Sequence, residues 1–182
     1  MAATVQIRKT TGNKSGPTST NISSGSLQFG TSDEATSPSS IPVPSSGSNY
    51  SYYVSLQLNA TVAADNSITN IKFYTDGTNS LGTGVDGIVS VASDYASAVG
   101  TAGSSGSLLN TTSYPSLAGL DNDGATSPLF AFSSGCKLSV SGSIAATTGC
   151  FGDWVVAQLN VESTAGAGNS AEETLTFEFD ES

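Results

Sequence analysis

The stretch NYSYYVSLQLNATVAADNSITNIKFYTDG, residues 49–77, contains two runs in which apolar and polar side chains alternate. In residues 54–62 every second side chain is apolar, and Ser, Gln, Asn or Thr stands at each position between. This period of two is typical of a β-strand with one buried face and one solvated face. Residues 68–75 form the second run, which ends at Asp76-Gly77, a dipeptide suited to a tight turn. Because only a short polar turn separates the runs, we predict an antiparallel hairpin at the core of the fold.

Shorter stretches with the same kind of pattern lie on both sides of this hairpin, separated by turns rich in Gly, Pro and Ser. No segment keeps the 3.6-residue period of a helix, and at most one helical turn is expected within 94–106. These patterns predict an all-β fold, an antiparallel β-sandwich of jelly-roll type with long polar loops. Besides the hairpin, the predicted strands are 4–10, 26–30, 88–92, 129–132, 137–144, 154–162 and 174–180.

The composition favours one well-cored domain preceded by a less compact segment. The chain has 182 residues, of which 37% are hydrophobic and only 11% are charged. Disordered chains usually show little periodicity, whereas the apolar residues here cluster and alternate. The first 48 residues are mostly polar and include Pro38, Pro42 and Pro44, which remove donors from a strand ladder. We therefore predict an extended N-terminal arm with short strands at 1–48, packed on a β-sandwich domain at 49–182.

The charge distribution excludes one class of partner and suggests another. The formal net charge is −10, whereas binding to nucleic acid needs a basic face. Arg8, Lys9 and Lys14 place most of the basic charge near the start, while acidic residues crowd 162–182. This asymmetry would let the start of one copy dock on the end of another, or on an acidic partner. The alternative is a solvated terminus at each end.

Neither a leader sequence nor a membrane segment is expected. The first residues, MAATVQIRKTTG, contain no apolar run of the kind found in signal peptides. The chain also has no run of apolar residues long enough to cross a bilayer. We therefore expect no membrane partner.

The sequence lacks the usual catalytic signatures. It contains no histidine, which removes the commonest general base and any Ser-His or Cys-His nucleophile. It also contains no G-x-S-x-G elbow and no phosphate-binding loop with its lysine. We predict that the protein is not an enzyme and that it uses neither a cofactor nor a metal.

Two short motifs have both a functional and a structural interpretation. Asp121, Asn122 and Asp123 would offer oxygen ligands to Ca²⁺, but Asp-Asn-Asp-Gly is also good turn chemistry and the other EF-hand ligands are missing. Asp153 beside Trp154 would suit a sugar-binding platform, whereas a single Trp at a strand start more often packs in the core or at its rim. We favour the structural interpretation of both motifs.

The two cysteines, Cys136 and Cys150, match no zinc-binding pattern, because a site needs four ligands and the chain has no histidine to complete it. They form either a disulfide that closes a short loop or two small buried thiols. A disulfide around a loop of this length would stabilise the fold by about 3 kcal/mol.

Aromatic residues that we expect to be exposed indicate a binding surface less specifically than the charged residues do. Tyr50, Tyr52 and Tyr53 precede the main strand, and Tyr provides much contact area at interfaces for little entropy. An equally good interpretation is that these tyrosines pack at the end of the sheet and have a structural role. Together with the residues near the start, the candidate partner-binding set is Val5, Ile7, Arg8, Lys9, Lys14, Tyr50, Tyr52 and Tyr53.

Three stretches resemble the small β-sandwich virion structural proteins of tailed bacteriophages and archaeal viruses. They are VQIRKTTG with SGSLQFG near the start, SITNIKFYTDGTNSLGTGV at 67–85, and FGDWVVAQLNVESTAGAGNSAEETLTFEFDES at 151–182. The resemblance covers about half of the chain, contains no catalytic signature and transfers no functional residue.

The resemblance implies a capsid decoration (cement) protein, made in the host cytoplasm and located on the virion surface. Its partners would be the major capsid protein or another virion protein and further copies of itself, with a trimer favoured. Residues 1–48 would be the arm that clasps a neighbour, ordered only on binding. The alternatives are a tail or fibre component or a carbohydrate-binding module for host attachment, and then a surface-layer structural protein.

Overall fold

The structure, a computed structural model, describes residues 2–25, 27–118 and 126–182. A single 3-10 helix, Leu129–Ala131, is present in those residues, and all the other regular elements there are strands. The strands are β1 (Thr4–Thr11), β2 (Thr18–Asn21), β3 (Ser48–Tyr50), β4 (Val54–Val62), β5 (Ser67–Tyr74), β6 (Val85–Ala92), β7 (Gly100–Thr101), β8 (Ser105–Gly106), β9 (Leu117–Ala118), β10 (Ser127–Pro128), β11 (Leu138–Ser139), β12 (Ile144–Ala145), β13 (Gly149–Glu162) and β14 (Thr176–Glu181).

The strands form two main antiparallel sheets that pack face to face. The large sheet has the order β10-β6-β13-β4-β1-β2, with β3 beside the end of β13 and β9 beside β6. In the small sheet β5 is central, with β14 along one edge and β11 and β12 in succession along the other. Strands β7 and β8 make a separate two-stranded ribbon. The predicted all-β antiparallel sandwich is confirmed, and its jelly-roll connectivity stays a prediction.

The predicted core hairpin is wrong, because β4 and β5 belong to different sheets. β4 pairs with β1 and β13, whereas β5 pairs with β11, β12 and β14. The connection 63–66 carries the chain across the core, and Ala64 within it is buried. Each strand has an apolar face that must be covered, and placing the strands in opposite layers lets one face cover the other.

The space between the two sheets holds the main hydrophobic core. Leu56 and Leu58 of β4 lie in one cluster with Ile71 and Phe73 of β5 and with Val155 of β13. Every one of these side chains is at most 2% exposed. The Phe73 ring also meets Phe177 of β14 edge to face, with ring centroids 5.3 Å apart. Most apolar positions of the alternating runs in β4 and β5 are therefore core positions, whereas Val62 at the end of β4 is exposed.

Much of the opposite face of the large sheet is buried rather than solvated, which corrects the second half of the hairpin prediction, although Thr61 at the end of β4 is exposed. Residues 93–117, which we call the covering segment, lie over this face and bury Tyr114 and Leu109 almost completely. Ser55 and Gln57, expected on a wet face, are 1% and 9% exposed. The molecule therefore has three layers: the small sheet, the large sheet and the covering segment.

Hydrogen bonds hold the covering segment to the sheet. Gln158 of β13 is fully buried, and its side-chain oxygen accepts from the Leu109 N–H at 2.8 Å. Its amide nitrogen donates to the carbonyls of Ser51 and Ser107 at 2.7 and 2.8 Å. The Ser55 hydroxyl lies 3.2 Å from the Tyr114 hydroxyl. These polar side chains are buried at tolerable cost because their hydrogen-bonding groups have partners.

The start of the chain is more ordered than the predicted arm. Strand β1 lies inside the large sheet, where it pairs with β2 on one side and β4 on the other. An arm ordered only on binding therefore does not describe residues 4–11. Between Asn21 and Ser48, in contrast, no strand occurs in the described residues. The predicted strand 26–30 is therefore wrong for residues 27–30, and residue 26 lies outside the described residues.

Three further local predictions differ from the structure. Residues 129–131 form a 3-10 helix rather than a strand. The predicted strand 137–144 is broken into β11 and β12, with Gly142 at φ +102° between them and packed against Gly152. Residues 94–106 contain no helical turn and instead hold the β7–β8 ribbon.

Candidate interaction surface

A deep cleft lies between the large sheet and the start of β14. Its volume is about 1310 Å³. Apolar side chains from both sides of the sandwich line it, because the small sheet is narrower than the large sheet and does not cover all of its apolar face. They include Ile7, Leu56, Val85, Leu159 and Val161 from the large sheet, and Leu175 and Phe177 from β14 and the residue before it.

Loops complete the wall of the cleft and set its charge. Residues from 22–29, 38–43 and 166–173 contribute to the lining. Val43 in one of these loops is 39% exposed, an unusual state for a large apolar side chain in this protein. Glu172 and Glu173 also line the cleft, whereas none of the described lining residues is Lys or Arg. Most of the lining side chains are therefore apolar, but polar atoms make up nearly half of the lining surface, and one wall carries negative charge.

Strand β14 presents an edge beside this cleft. Within the described part of the chain it pairs only with β5. Leu175, Phe177 and Phe179 turn towards the core but remain only partly buried. An edge strand with partly exposed apolar residues is a ready template for another strand.

Three basic residues predicted to bind a partner are occupied within the chain. The Arg8 guanidinium donates to the Ser19 hydroxyl at 2.9 Å. Lys14 forms an exposed ion pair with Asp94. Lys9 is only 3% exposed, and its ammonium donates to the carbonyl of Glu34 at 2.6 Å. The predicted partner-binding role of Lys9 is therefore not supported, because its charge is used to hold the loop after β2 on β1.

Burial and neighbouring charges act in opposite directions on the pKa values of Lys9 and Asp33. Burial lowers the pKa of Lys9 below its ordinary value, and the charges of Asp33 and Glu34 oppose this effect. Burial also raises the pKa of Asp33. The Gly12 N–H, which donates to the Asp33 carboxylate at 2.7 Å, and the charge of Lys9 oppose this rise. Lys9 is therefore stabilised by charges and carbonyl groups of the same chain and is not available as an exposed basic residue.

The remaining predicted residues divide between core and surface. Val5 and Ile7 pack against the main core, and Ile7 also lines the cleft. Tyr53 is 3% exposed and meets Tyr114 edge to face, so its predicted role as an exposed binding residue is wrong. Tyr50 and Tyr52 are partly exposed and contact the β7–β8 ribbon rather than the cleft. Only Ile7 of the predicted set therefore belongs to the cleft.

The cysteines are neither bridged nor buried. Cys136 and Cys150 are both free and exposed, so the alternative of two buried thiols is also wrong. Cys136 lies in a turn closed by a bridge to Ser133, and Cys150 lies at the start of β13, where its thiol donates to the Asn59 side chain at 3.3 Å.

The two remaining motifs do not form sites in the described chain. Trp154 packs against the covering-segment cluster and is not an open platform. Asp121, Asn122 and Asp123 lie outside the described residues. Elsewhere, the described residues contain no group of three or more His, Cys, Asp or Glu that would hold a metal ion. No helix found in the described ranges is long and apolar enough to cross a membrane.

Sequence reasoning missed the cleft, although part of its signal is visible. Ile22, Ile41 and Val43 are isolated apolar residues in a polar stretch, and Leu27 and Phe29 belong to the predicted strand 26–30, which does not form in the described residues. The first three fit no alternating face, and in the structure all five gather at or near the cleft.

No family model, no curated protein and no solved structure matches this chain significantly.

Proposed function

We propose that the protein is a non-enzymatic virion structural protein, most specifically a capsid decoration protein that binds and stabilises the outer capsid surface. The cleft carries this proposal, because it leaves a large surface with many apolar side chains open on an otherwise well-packed sandwich. Open apolar patches on soluble proteins mark interaction sites. The resemblance of the three sequence stretches to small virion proteins supplies the class of partner.

The distribution of charge supports a role on an exposed surface. All five basic residues have partners within the chain: Arg8, Lys9 and Lys14 as described above, Lys72 with the Ser139 hydroxyl, and Lys137 with Glu178. The acidic residues outnumber the basic residues by ten, and a net charge of −10 keeps a protein soluble at high local density.

The proposed partners are the major capsid protein, or another virion protein, and further copies of this chain. A homotrimer is the form that the resemblance to decoration proteins implies, and it would have the closed symmetry that is the rule for soluble assemblies. Native mass spectrometry of the purified protein tests this expectation, and a strictly monomeric protein at all concentrations would remove the trimer from the proposal.

Quantitative mass spectrometry of purified particles tests the function itself. A copy number close to that of the major capsid protein is the expected result. A few copies per particle would instead identify a tail or fibre component, and absence from the particle would overturn the virion assignment. Deletion of residues 1–14 is unsuitable as a binding test, because it would remove β1 from the large sheet.

A further inference from the structure

The cleft and the neighbouring edge of β14 together point to the kind of segment that binds there. We infer that the cleft binds an extended segment of a partner protein, which pairs with the N-terminal half of β14 as an added strand. The segment alternates apolar side chains with Lys or Arg. This inference rests on the proposed function only for the source of the segment, a virion protein. The chemistry of the segment follows from the cleft.

The shapes of the two sheets leave room for a strand. The large sheet is six strands wide along its main path, whereas the small sheet is three strands wide. From strand and sheet spacings of about 4.8 and 10 Å and a rise of about 3.3 Å, a residue in a sandwiched strand occupies roughly 160 Å³. The cleft volume of about 1310 Å³ therefore has room for about eight residues in extended form.

The edge of β14 supplies the pairing groups for such a strand. Leu175 and Phe177 line the cleft, so the N-terminal half of this strand borders the open space. No second strand pairs with β14 in the described ranges. A segment added here would gain main-chain hydrogen bonds from β14, and its alternate side chains would enter the cleft.

The charge of the wall selects the other side chains of the segment. Glu172 and Glu173 lie on the wall, and none of the described lining residues is basic. Lys or Arg at the outward positions of the segment would therefore face carboxylates. A second copy of this chain fits less well, because its own five basic side chains are already engaged within the fold.

Designed peptides test the inference on the full-length protein. The probe is a fluorescent eight-residue peptide that alternates lysine and valine, and fluorescence anisotropy measures its binding. One control peptide carries glutamate in place of lysine, and another carries an N-methyl group on every backbone amide. We expect the lysine peptide to bind and both controls to bind at least about tenfold more weakly, because they lose charge attraction or strand pairing.

A matched pair of variants locates the binding site. Val43 in the cleft wall and Val62 at the end of β4, outside the cleft, are 39% and 38% exposed. Val43→Lys should weaken binding of the lysine peptide about tenfold, because it removes apolar contact and adds like charge, while Val62→Lys should change it less than about twofold. Glu172→Gln, a milder change on the exposed wall, should weaken binding by about twofold to threefold.

Amide hydrogen exchange identifies the pairing strand. The lysine peptide should slow exchange in residues 174–180 and leave the covering segment unchanged. Equal binding of the glutamate or N-methylated peptide, equal weakening by Val62→Lys, or unchanged exchange at β14 would each overturn the inference. So would self-association of the protein that blocks the peptide, since the occupant would then be a second copy.

Different results would contradict the virion role and the binding of an extended segment in the cleft. Loss of peptide binding with the protein still abundant on particles would leave the virion role intact and place its attachment on another surface. Peptide binding at β14 with no protein on particles would remove the virion role and leave a cleft that binds basic extended segments.

Discussion

Each face of the large sheet is buried over much of its area, but different chemistry buries the two faces. The inner face meets the small sheet through Leu56, Leu58 and Val155, which have no polar group to satisfy. The outer face meets the covering segment through Ser55 and Gln158, whose polar groups are hydrogen-bonded across the layer boundary. Burial of the inner face depends on contact area, whereas burial of the outer face depends both on apolar contact and on individual hydrogen bonds.

This difference determines how each face should respond to substitution. Loss of apolar contact leaves a cavity whose cost grows with its volume. Loss of one hydrogen-bonding side chain leaves its buried partners unsatisfied, and that cost grows with the number of partners. The four predictions below test the comparison from the largest expected effect to the smallest.

Leu56→Ala should lower the free energy of unfolding by about 2–5 kcal/mol, because it opens a cavity between the sheets. Chemical denaturation measures the change. Val62→Ala, which alters an exposed residue of the same alternating run, is the control and should change stability by less than about 0.5 kcal/mol. A loss below about 1 kcal/mol for Leu56→Ala would show that the inner face is not tightly packed.

Gln158→Leu should lower the free energy of unfolding by about 2–3 kcal/mol, because it removes the partners of the Leu109 N–H and of two carbonyls. Gln57→Leu on the same face should cost about 1 kcal/mol, because its side chain makes one such bond, to the Gly152 carbonyl. Amide exchange should rise in residues 105–110 only for Gln158→Leu. Equal losses for the two variants would contradict the dependence on partner number.

Alkaline pH should weaken the outer layer. Burial raises the pKa of Tyr53, Tyr95 and Tyr114 above the ordinary 10.0. Their contribution to stability is complete below pH 10 and is lost as the pH rises further, because the unfolded tyrosines ionise first. Each tyrosine can remove at most about 1.4 kcal/mol per pH unit above 10.

Denaturation curves of the parent protein and of Tyr114→Phe between pH 9 and 11 test this expectation. Stability should fall less steeply above pH 10 in the variant, because one titrating hydroxyl is gone. The same slope in both proteins would mean that the Tyr114 hydroxyl ionises as it does in the unfolded chain. Lysine titration affects both proteins alike and therefore cancels in the difference.

The pair formed by Ser55 and Tyr114 should show the smallest effect. Their hydroxyl oxygens are 3.2 Å apart in a buried setting, which is longer than the usual range for a hydrogen bond between two hydroxyls. A double-mutant cycle with Ser55→Ala and Tyr114→Phe should give a coupling energy of about 0.5–1 kcal/mol. Strict additivity of the two substitutions would mean that the hydroxyls do not interact.

The sequence predicted which face of a strand each residue lies on better than it predicted which strands pair with one another. Alternation in 54–62 and 154–162 correctly separated the residues that face the small sheet from those that do not. It could not show that β4 and β5 lie in different sheets, because a hairpin and a crossing between layers have the same local pattern. It also could not show that the second face is covered, because Ser55 and Gln57 look alike in water and in a satisfied buried network.

The candidate surface was less predictable than the fold. Tyr53 and Lys9 looked like exposed binding residues, but burial depends on the covering segment and on the loop after β2, which have no periodic signal. The cleft combines Ile7, Val43 and Phe177, which are far apart in the chain. No local pattern relates such residues, and only the sandwich brings them together.

The position of β13 has a consequence for how the protein folds while it is synthesised on the ribosome. This strand joins β4 to β6 in the middle of the large sheet, yet it is made of residues 149–162 and is synthesised long after both. Until then each half of the sheet ends in an unpaired edge, the state in which nascent β proteins are most prone to aggregate. A chain truncated at residue 148 should therefore be digested by protease under conditions in which the complete chain resists. The large sheet therefore cannot be completed until β13 has been synthesised.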